Sequence, residues 1–156
     1  MKARHKAMTE EMKIRLMESR DVEAVECLEK QCFSDPWSGK LLLEGLNSKW
    51  DTFWVAVLDD TVIGYSNLRV LSDEGELERI AVAPDHRRLG IGRKLMEAME
   101  DFAAQNQVKA VTLEVRSQNT AALKLYKSYG FEEAGVRRRY YHDPEDDAVI
   151  MWQYCS

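Results

Sequence analysis

The sequence has few cysteines and no long apolar run, and both shortages narrow the classes of protein it can belong to. Its three cysteines, Cys27, Cys32 and Cys155, are odd in number and contain no Cys-x-x-Cys spacing, which argues against a disulfide framework and a zinc site. No stretch approaches the roughly 20 apolar residues that a membrane-spanning helix needs, and Met1 to Met12 lack the apolar core of a secretory signal. We therefore expect a cytoplasmic protein without a metal or a membrane partner.

Positive charge is also in short supply. The 156 residues carry 22 lysines and arginines against 27 aspartates and glutamates, which gives a formal net charge of −5. Proteins that bind nucleic acid rely on a broad basic surface, so no direct nucleic-acid partner is expected. With 45% hydrophobic residues the chain suits one compact core. We predict a polar tail over residues 1–11 and a single domain over residues 12–156, with the translation start open among Met1, Met8 and Met12.

Strand-like and helix-like patterns alternate along the chain. The strand patterns cover residues 13–17, 53–58, 62–70, 77–82, 108–115, 131–141 and 148–154. The helical patterns cover residues 19–32, 38–46, 93–105 and 119–130. Ser19, Ser38 and Asn119 are the predicted N-caps. Because hairpins occur at both ends of this order, we predict a mixed α/β fold and not a purely parallel sheet.

A glycine-containing loop follows the strand that ends at Val82. Gly90 and Gly92 lack a Cβ, so the backbone can approach a ligand closely, and the start of the next helix offers unpaired N–H groups and a partial positive charge. Four cations surround this loop in an otherwise acidic chain: Arg87, Arg88, Arg93 and Lys94. The pattern predicts a phosphate-binding site, with a solvated turn as the alternative.

The loop fits neither of the familiar nucleotide-binding motifs. It lacks the Gly-Lys-Ser/Thr ending of a P-loop, and Leu95 stands where the dinucleotide fingerprint requires a third glycine. The order Val82-x-Pro84, Arg87-x-x-Gly90-x-Gly92 and then a helix resembles the acyl-CoA loop of the GCN5-related N-acetyltransferase (GNAT) family. Further landmarks resemble that family, and more narrowly its protein N-terminal acetyltransferases: Phe33, Pro36, Trp37, Ser38, Leu113 to Arg116, Asn119, Leu125-Tyr126, Gly130-Phe131, Arg137-Arg138, Tyr140-Tyr141, Asp147-Ala148 and Met151.

The resemblance implies a fold, a donor and a set of donor-binding residues. The fold is a mixed, mostly antiparallel central sheet of about seven strands, with about four helices packed on both faces. The donor is acetyl-CoA, as a co-substrate. A backbone N–H among residues 80–82 would polarise the acetyl carbonyl. The residues assigned to acetyl-CoA are Ile80, Ala81, Val82, Arg87, Arg88, Leu89, Gly90, Ile91, Gly92, Arg93, Asn119 and Tyr126.

Acetyl transfer to an amine requires a group that accepts the amine proton. Glu114 interrupts the apolar alternation of residues 111–115, so its carboxylate is predicted on the opposite face of the sheet, where it can accept a proton directly or through water. A wet face, or an ion pair with Arg116, is the alternative. The resemblance makes Glu114 the catalytic base. Glu78 is a second possible base, or else an ion-pair partner of Arg79.

The reaction also requires a proton donor near the departing sulfur, and the resemblance assigns this role to Tyr126. A phenol with a pKa near 10 is protonated at neutral pH and can donate a hydrogen bond to a thiolate whose pKa is about 8.5. A buried core tyrosine is the alternative, because Ala122, Tyr126 and Tyr129 share one helical face. No cysteine lies in the motif segments, so we predict direct attack in a ternary complex without an acetyl-enzyme.

The acceptor is predicted from basicity and from the resemblance. Freeing a terminal α-amine at neutral pH costs about 3 kcal/mol less than freeing a lysine amine. The resemblance implies a protein N-terminus as partner, that of a basic ribosomal protein beginning with alanine or another small residue, bound by a monomer or weak dimer. The residues assigned to the acceptor are Trp37, Glu78, Arg79, Tyr140 and Tyr141. The acidic run at residues 145–147 is a further candidate for attracting a basic chain.

Three positions depart from the narrower pattern. Arg79, Gln118 and Asp146 stand where asparagine, serine and glutamate are usual in the resembling enzymes. Arg79 and Asp146 are expected on the acceptor side, so the acceptor stays open. A small-molecule amine or an internal lysine is one alternative, and a CoA-binding sensor without turnover is another.

Overall fold

A computed structural model describes residues 12–155, and the predicted tail over residues 1–11 lies outside them. Within the described range the strands are β1 (Lys13–Leu16), β2 (Asp51–Leu58), β3 (Thr61–Leu71), β4 (Glu74–Val82), β5 (Ala110–Arg116), β6 (Glu132–Tyr141) and β7 (Asp146–Tyr154). The helices in the same range are α1 (Val22–Cys32), α2 (Gly39–Leu46), α3 (Ile91–Gln105) and α4 (Thr120–Ser128). No helix in this range is both long and apolar enough to cross a bilayer.

The strands form one seven-stranded sheet in the order β1-β2-β3-β4-β5-β7-β6. The pairs β1 with β2, β5 with β7 and β6 with β7 are antiparallel, whereas β4 and β5 run parallel from Glu74↔Ala110 to Glu76↔Thr112. A parallel pair needs a crossover connection, and here the connection contains α3. The predicted mixed, mostly antiparallel α/β fold is confirmed.

The described chain divides into two compact units. The first comprises residues 12–67 and 79–98 of the described chain, and the second comprises residues 68–78 and 99–155. The core of the first unit is Met17, Val25, Leu28, Leu42, Phe53, Val55, Tyr65 and Ala81. In the second unit the buried residues of β5 and β7 alternate along the strands, as expected for strands that each bury one face. The single domain stays a prediction.

Two of the three predicted helix caps are confirmed. The Ser38 side chain accepts a hydrogen bond from Leu41 N, and the Asn119 side chain accepts one from Ala122 N. The prediction for Ser19 is wrong, because Ser19 lies inside a 3-10 turn whose N-cap is Glu18. The carboxylate of Asp21, which binds Glu18 N at 2.8 Å, closes that turn instead.

Helix α3 begins at Ile91, two residues before the predicted start, and its first backbone bond runs from Lys94 N–H to Gly90 O at 3.1 Å. The sequence spacing of Ile91, Leu95, Met99 and Phe102 predicts one apolar stripe on this helix; the first three are buried and Phe102 is half-buried. Glu100 of the same helix is half-buried and accepts a hydrogen bond from Gln153.

Candidate active site

The glycine loop, residues 83–90, begins where β4 ends in the first unit. Its first residue is tied to β3 by a bond from Ala83 N to Ile63 O at 2.8 Å. Arg88 and Gly90 have φ values of 70° and 80°, in the left-handed region that favours glycine. A Cβ added at Gly90 would meet no atom within 4 Å. The glycine is therefore required by its backbone conformation, and the space beside it is open.

The loop leads directly into α3, and the backbone N–H groups at the start of this helix can bind an anion. Lys94 N–H bonds back to Gly90 O, and the amides at the start of an α-helix, here those of Ile91 and Gly92, have no carbonyl of their own helix to bond to. The Ile91 side chain is buried and anchors the turn, whereas Leu89 and Gly90 are exposed. The N-terminal end of a helix, with exposed arginines beside it, fits the diphosphate of a CoA molecule.

Arg87 is exposed, and its side chain also contacts the end of β4 and of α1. Its Nε donates to Val82 O at 3.2 Å, and its Nη2 lies 3.6 Å from the sulfur of Cys32. The Cys32 thiol donates to Val82 O at 3.5 Å. Arg87 therefore fastens the loop to the end of β4, in addition to carrying charge near the predicted phosphate site.

Cys32 lies closer to the predicted site than the sequence indicated. The expectation that no cysteine is near the motif segments is wrong, because α1 ends beside Val82. Burial raises the pKa of the Cys32 thiol, and the neighbouring Arg87 only partly opposes this effect. The thiol is thus kept protonated and is a poor nucleophile. Its position does not change the expectation of direct attack.

The end of β4 approaches β3 closely at the residues predicted to polarise the acetyl carbonyl. A Cβ added at Gly64 would stand 3.0 Å from Ala81 O and 3.3 Å from Ile91 Cγ2. Ala81 is buried, while Ile80 and Val82 are half-buried. Gly64 thus permits the close packing that sets the backbone of residues 80–82.

Glu114 lies on β5 in the second unit and faces opposite to its apolar neighbours. Leu113 and Val115 are buried, whereas the Glu114 side chain is 22% exposed. Its Oε2 lies 2.7 Å from Nε of Arg137, as an ion pair and not as an aligned hydrogen bond. The guanidinium of Arg116, the alternative partner, donates to His142 O and Pro144 O.

Tyr126 is buried on α4 and packs against Phe131, with ring centroids 5.9 Å apart. Burial, with a smaller contribution from Tyr141, raises the pKa of the Tyr126 hydroxyl above its usual value near 10. The phenol therefore stays protonated at neutral pH. Burial is what the core-tyrosine alternative expected, and a proton donor has the same requirement. Asn119, which was assigned to acetyl-CoA, caps α4.

The predicted tyrosine pair lies at the end of β6 in the second unit. The rings of Tyr140 and Tyr141 meet edge to face, with centroids 5.1 Å apart, and Tyr140 is 49% exposed. Arg116 stacks over Tyr141 at 4.5 Å. The Arg116 guanidinium therefore packs on the Tyr141 ring, while the Tyr140 ring stays exposed to solvent.

Arg79 makes contacts that the sequence did not indicate. Its Nη2 lies 3.2 Å from Oε1 of Glu29, a residue of α1 that is fully buried. The guanidinium also stacks over Phe33 and Trp37. Arg79 thus has a partner that lies 50 residues away in the sequence. Glu78 is half-buried on β4.

The acidic run at residues 145–147 serves its own hairpin. Asp146 is buried and accepts hydrogen bonds from the Ser117 hydroxyl and from the backbone N–H groups of Gln118 and Asp147. Asp147 accepts from the backbone N–H of Arg139, and Glu145 pairs with the Arg139 side chain at 3.5 Å. These carboxylates stabilise the β6–β7 turn, which accounts for the run without a basic partner.

Sequence reasoning missed Glu29, Arg137 and Cys32. Glu29 carried a usable signal, because a glutamate that follows Val25 and Leu28 on one helical face is expected to be buried and paired. The partners of Arg137 and Cys32 could not be found from the sequence, because they are fixed by strand register and by where α1 ends.

Comparisons with known proteins agree with this geometry. The family model described as "Acetyltransferase (GNAT) family" matches residues 22–131. The chain is 36% identical over 137 residues to the ribosomal protein bS18-alanine N-acetyltransferase of Escherichia coli, covering 86% of this chain and 92% of that one. It is also 36% identical over 151 residues to the N-alpha-acetyltransferase RimI of Mycobacterium tuberculosis, covering 93% and 94% of the two chains.

A solved structure extends the likeness to three dimensions. The crystal structure of the Escherichia coli ribosomal-protein-alanine enzyme matches with a TM-score of 0.86 at 34% identity, covering 93% of this chain and 94% of that one. The family match, the two relatives and the common fold agree with the glycine loop and with the landmarks found in the sequence. The chain belongs to the GNAT family of acetyltransferases, and it is an acetyl-CoA-dependent acyltransferase.

Proposed function

We propose that this protein acetylates the terminal α-amine of a protein, and that its acceptor is a ribosomal protein beginning with alanine. The observation that carries the proposal is the 36% identity to the Escherichia coli ribosomal protein bS18-alanine enzyme over 92% of that chain. Glu114 and Tyr126, the two side chains with assigned chemical roles, are both present on the elements where the resemblance expects them.

The first unit supplies the donor site in this proposal. The amides of residues 91–93 bind the diphosphate, and the exposed guanidinium of Arg88 adds positive charge beside them. A backbone N–H of residues 80–82 polarises the acetyl carbonyl. Acetyl-CoA supplies the thioester whose carbonyl carbon the amine attacks.

Glu114 of the second unit takes the proton that the amine must lose. As the amine nitrogen forms its bond to the carbonyl carbon and the carbon–sulfur bond breaks, one amine proton passes to the Glu114 carboxylate, directly or through a water molecule. Arg137 holds Oε2 of this carboxylate, which leaves Oε1 as the oxygen that accepts the proton. The ion pair also fixes the orientation of the base.

Tyr126 stabilises the sulfur as it leaves. Because its pKa is raised above 10, the hydroxyl remains a donor throughout the neutral range. A thiol has a lower pKa, near 8.5, so complete transfer of the phenolic proton to the thiolate is unfavourable. Tyr126 therefore acts mainly by donating a hydrogen bond, and the thiolate takes its final proton from solvent.

An acceptor panel tests the substrate. The protein is incubated with acetyl-CoA and with peptides that begin Ala-Arg, Ser or Met, beside a lysine peptide blocked at its N-terminus and a polyamine. We expect the Ala-Arg peptide to give the highest kcat/KM. Preference for the blocked lysine peptide or the polyamine would overturn the N-terminal acceptor. Binding of acetyl-CoA without turnover of any acceptor would favour the sensor alternative.

Two substitutions test the assigned chemistry. Glu114→Gln and Tyr126→Phe should each lower kcat by roughly 100-fold, the lower limit for losing a general acid or base, while calorimetry finds acetyl-CoA affinity nearly unchanged. Two matched controls are Glu133→Gln, at an exposed glutamate of β6, and Tyr129→Phe, at the C-cap of α4. Wild-type kcat in both test variants would remove the site assignment.

A further inference from the structure

The segment between α1 and α2, residues 33–38, has no regular secondary structure, yet its backbone is held by two carboxylates of α1. Oε1 of Glu29 accepts from Trp37 N at 2.7 Å, and Oε2 of Glu26 accepts from Gly39 N at 2.6 Å. Both carboxylates come from the last two turns of α1. The segment is thus fixed at its C-terminal end by hydrogen bonds to charged groups, which are stronger than neutral ones.

Arg79 fixes the middle of the same segment. Its Nη2 donates to the Asp35 carbonyl at 3.0 Å and to Oε1 of Glu29 at 3.2 Å. Its guanidinium carbon lies 4.1 Å from the ring centroid of Phe33 and 4.5 Å from that of Trp37. One side chain therefore contacts the backbone and both aromatic rings of the segment, and only a planar cation can make all of these contacts.

The buried ion pair of Arg79 and Glu29 is not the choice of residues that would give the highest free energy of unfolding. Glu29 is fully buried, and the Nε donor of Arg79 is buried without an acceptor. A buried ion pair is often no more stable than an apolar pair of similar volume, and an unsatisfied buried donor is a further cost. The pair fixes one conformation of the segment, and this geometric effect can be separated experimentally from stability.

We propose that Arg79 is a positioning residue that holds Phe33 and Trp37 in the conformation that receives the acceptor. Arg79 was predicted to contact the acceptor itself, but it acts through the two aromatic rings, which are half-buried and pack against the core of the first unit. The inference rests on the proposed function, because it places this segment on the acceptor side. An asparagine at this position, as the resembling enzymes usually have, can neither stack on two rings nor pair with Glu29.

Kinetics on matched variants test the positioning role. Arg79→Met keeps the length of the side chain but leaves the Glu29 carboxylate without its cation, whereas the double variant Arg79→Met with Glu29→Gln removes both charges. We expect the KM for the Ala-Arg peptide to rise roughly tenfold in both, the loss typical of a charge-assisted contact, with kcat and acetyl-CoA affinity little changed. Arg15→Met, which breaks the pair with Asp21 at the other end of α1, should leave this KM unchanged.

Stability separates positioning from a merely structural role. Arg79→Met should unfold at lower urea concentration than the wild type, because it strands a buried charge, and the double variant should regain most of that loss. If the double variant also regained the wild-type KM, or if Arg79→Met never lost it, the proposal would be overturned. If Arg79→Met fails to fold, the double variant alone carries the kinetic test.

A spectroscopic measurement separates this proposal from the proposed function. In protein labelled with 5-fluorotryptophan, the fluorine resonance of Trp37 is assigned with Trp37→Phe. We expect this resonance to shift and broaden in the double variant, while the resonances of Trp50, Trp54 and Trp152 stay in place. An unchanged Trp37 resonance overturns the positioning role. A wild-type protein that acetylates none of the peptides overturns the proposed function, and the resonance still decides the role of Arg79.

Discussion

At the scale of single residues, the two side chains with proposed chemical roles, Tyr126 and Glu114, have different surroundings. Tyr126 is shielded by Phe131 and by its own helix, and burial keeps its hydroxyl protonated. Glu114 is less buried and is oriented by the Arg137 guanidinium. The proposed base must reach the acceptor amine, and the greater exposure of Glu114 suits that proposed role.

Asp146 gives a prediction about pH at the same scale. The Ser117 hydroxyl lowers the pKa of this carboxyl, helped by the backbone amides of Gln118 and Asp147 and by the Arg116 charge, and burial only partly opposes them. Its folded pKa therefore lies below the unfolded value of about 3.9. The stabilisation is complete above that value and is lost as the pH falls toward the folded pKa. Asp146→Asn should destabilise the protein at neutral pH, and the difference from wild type should shrink from about pH 5 to about pH 3.

Urea unfolding of the two proteins across this pH range checks the sign. Asp143→Asn, on the same turn, is the matched control, because Asp143 has a positive φ of 49° that asparagine also tolerates. We expect its effect to be small and independent of pH. A difference between Asp146→Asn and wild type that grew as the pH fell would contradict the argument.

At the scale of elements, the β4 end, the glycine loop and the start of α3 are set by how closely β3 approaches them. Gly64 is the point of closest approach, since its missing side chain leaves room for Ala81 O and for the Ile91 methyl group. The conformation of the loop depends on Gly90, because that position has a positive φ. The position of the loop depends on Gly64, because a side chain there would crowd Ala81 and Ile91.

Gly64→Ala should therefore weaken acetyl-CoA binding although Gly64 is not assigned to the ligand. The added Cβ would stand 3.0 Å from Ala81 O, and overpacking of this kind costs about 1–3 kcal/mol. Calorimetry should find a higher Kd for acetyl-CoA, and urea unfolding should find a lower stability. Gly135→Ala in β6 is the matched control, because its Cβ would meet Ile150 Cδ1 at an ordinary 3.7 Å. Equal effects of the two substitutions on Kd would contradict the argument.

The helices and strands could be predicted from the sequence, because the signals that define them lie within a few residues of each other. Ser38 and Asn119 cap helices through bonds three residues along the chain, and the spacing of Ile91, Leu95 and Met99 gives the buried face of α3. Contacts between distant segments were not readable. Glu114 meets Arg137 because β7 pairs with both β5 and β6, and Arg79 meets Glu29 because α1 packs beside β4. The sequence offered only the neighbours Arg116 and Glu78 as partners, and neither Arg137 nor Glu29 is close to its partner in the sequence.

At the scale of the whole molecule, the charge of the protein acts differently on the two proposed substrates, acetyl-CoA and the acceptor. A net charge of −5 disfavours anions in general, so an anionic donor must rely on the local amides and arginines of the glycine loop. A basic polypeptide acceptor is favoured by the same net charge, and its association should weaken as salt is added. In this proposal the anionic donor is attracted by local positive charge, and the basic acceptor is attracted by the overall negative charge.

Linkage between binding and folding gives a test on the intact chain. A ligand that binds only the folded state at about 100 times its Kd adds roughly 2.7 kcal/mol of stability, which for a chain of this size corresponds to a rise in Tm of about 5–10 °C. Acetyl-CoA should produce this rise. Acetyl-pantetheine at the same concentration should produce little, because it carries the thioester but lacks the diphosphate that the amides of Ile91, Gly92 and Arg93 are proposed to bind. Thermal melts with each ligand make the comparison, and an equal rise with both would show that the affinity comes from the thioester arm and not from the glycine loop.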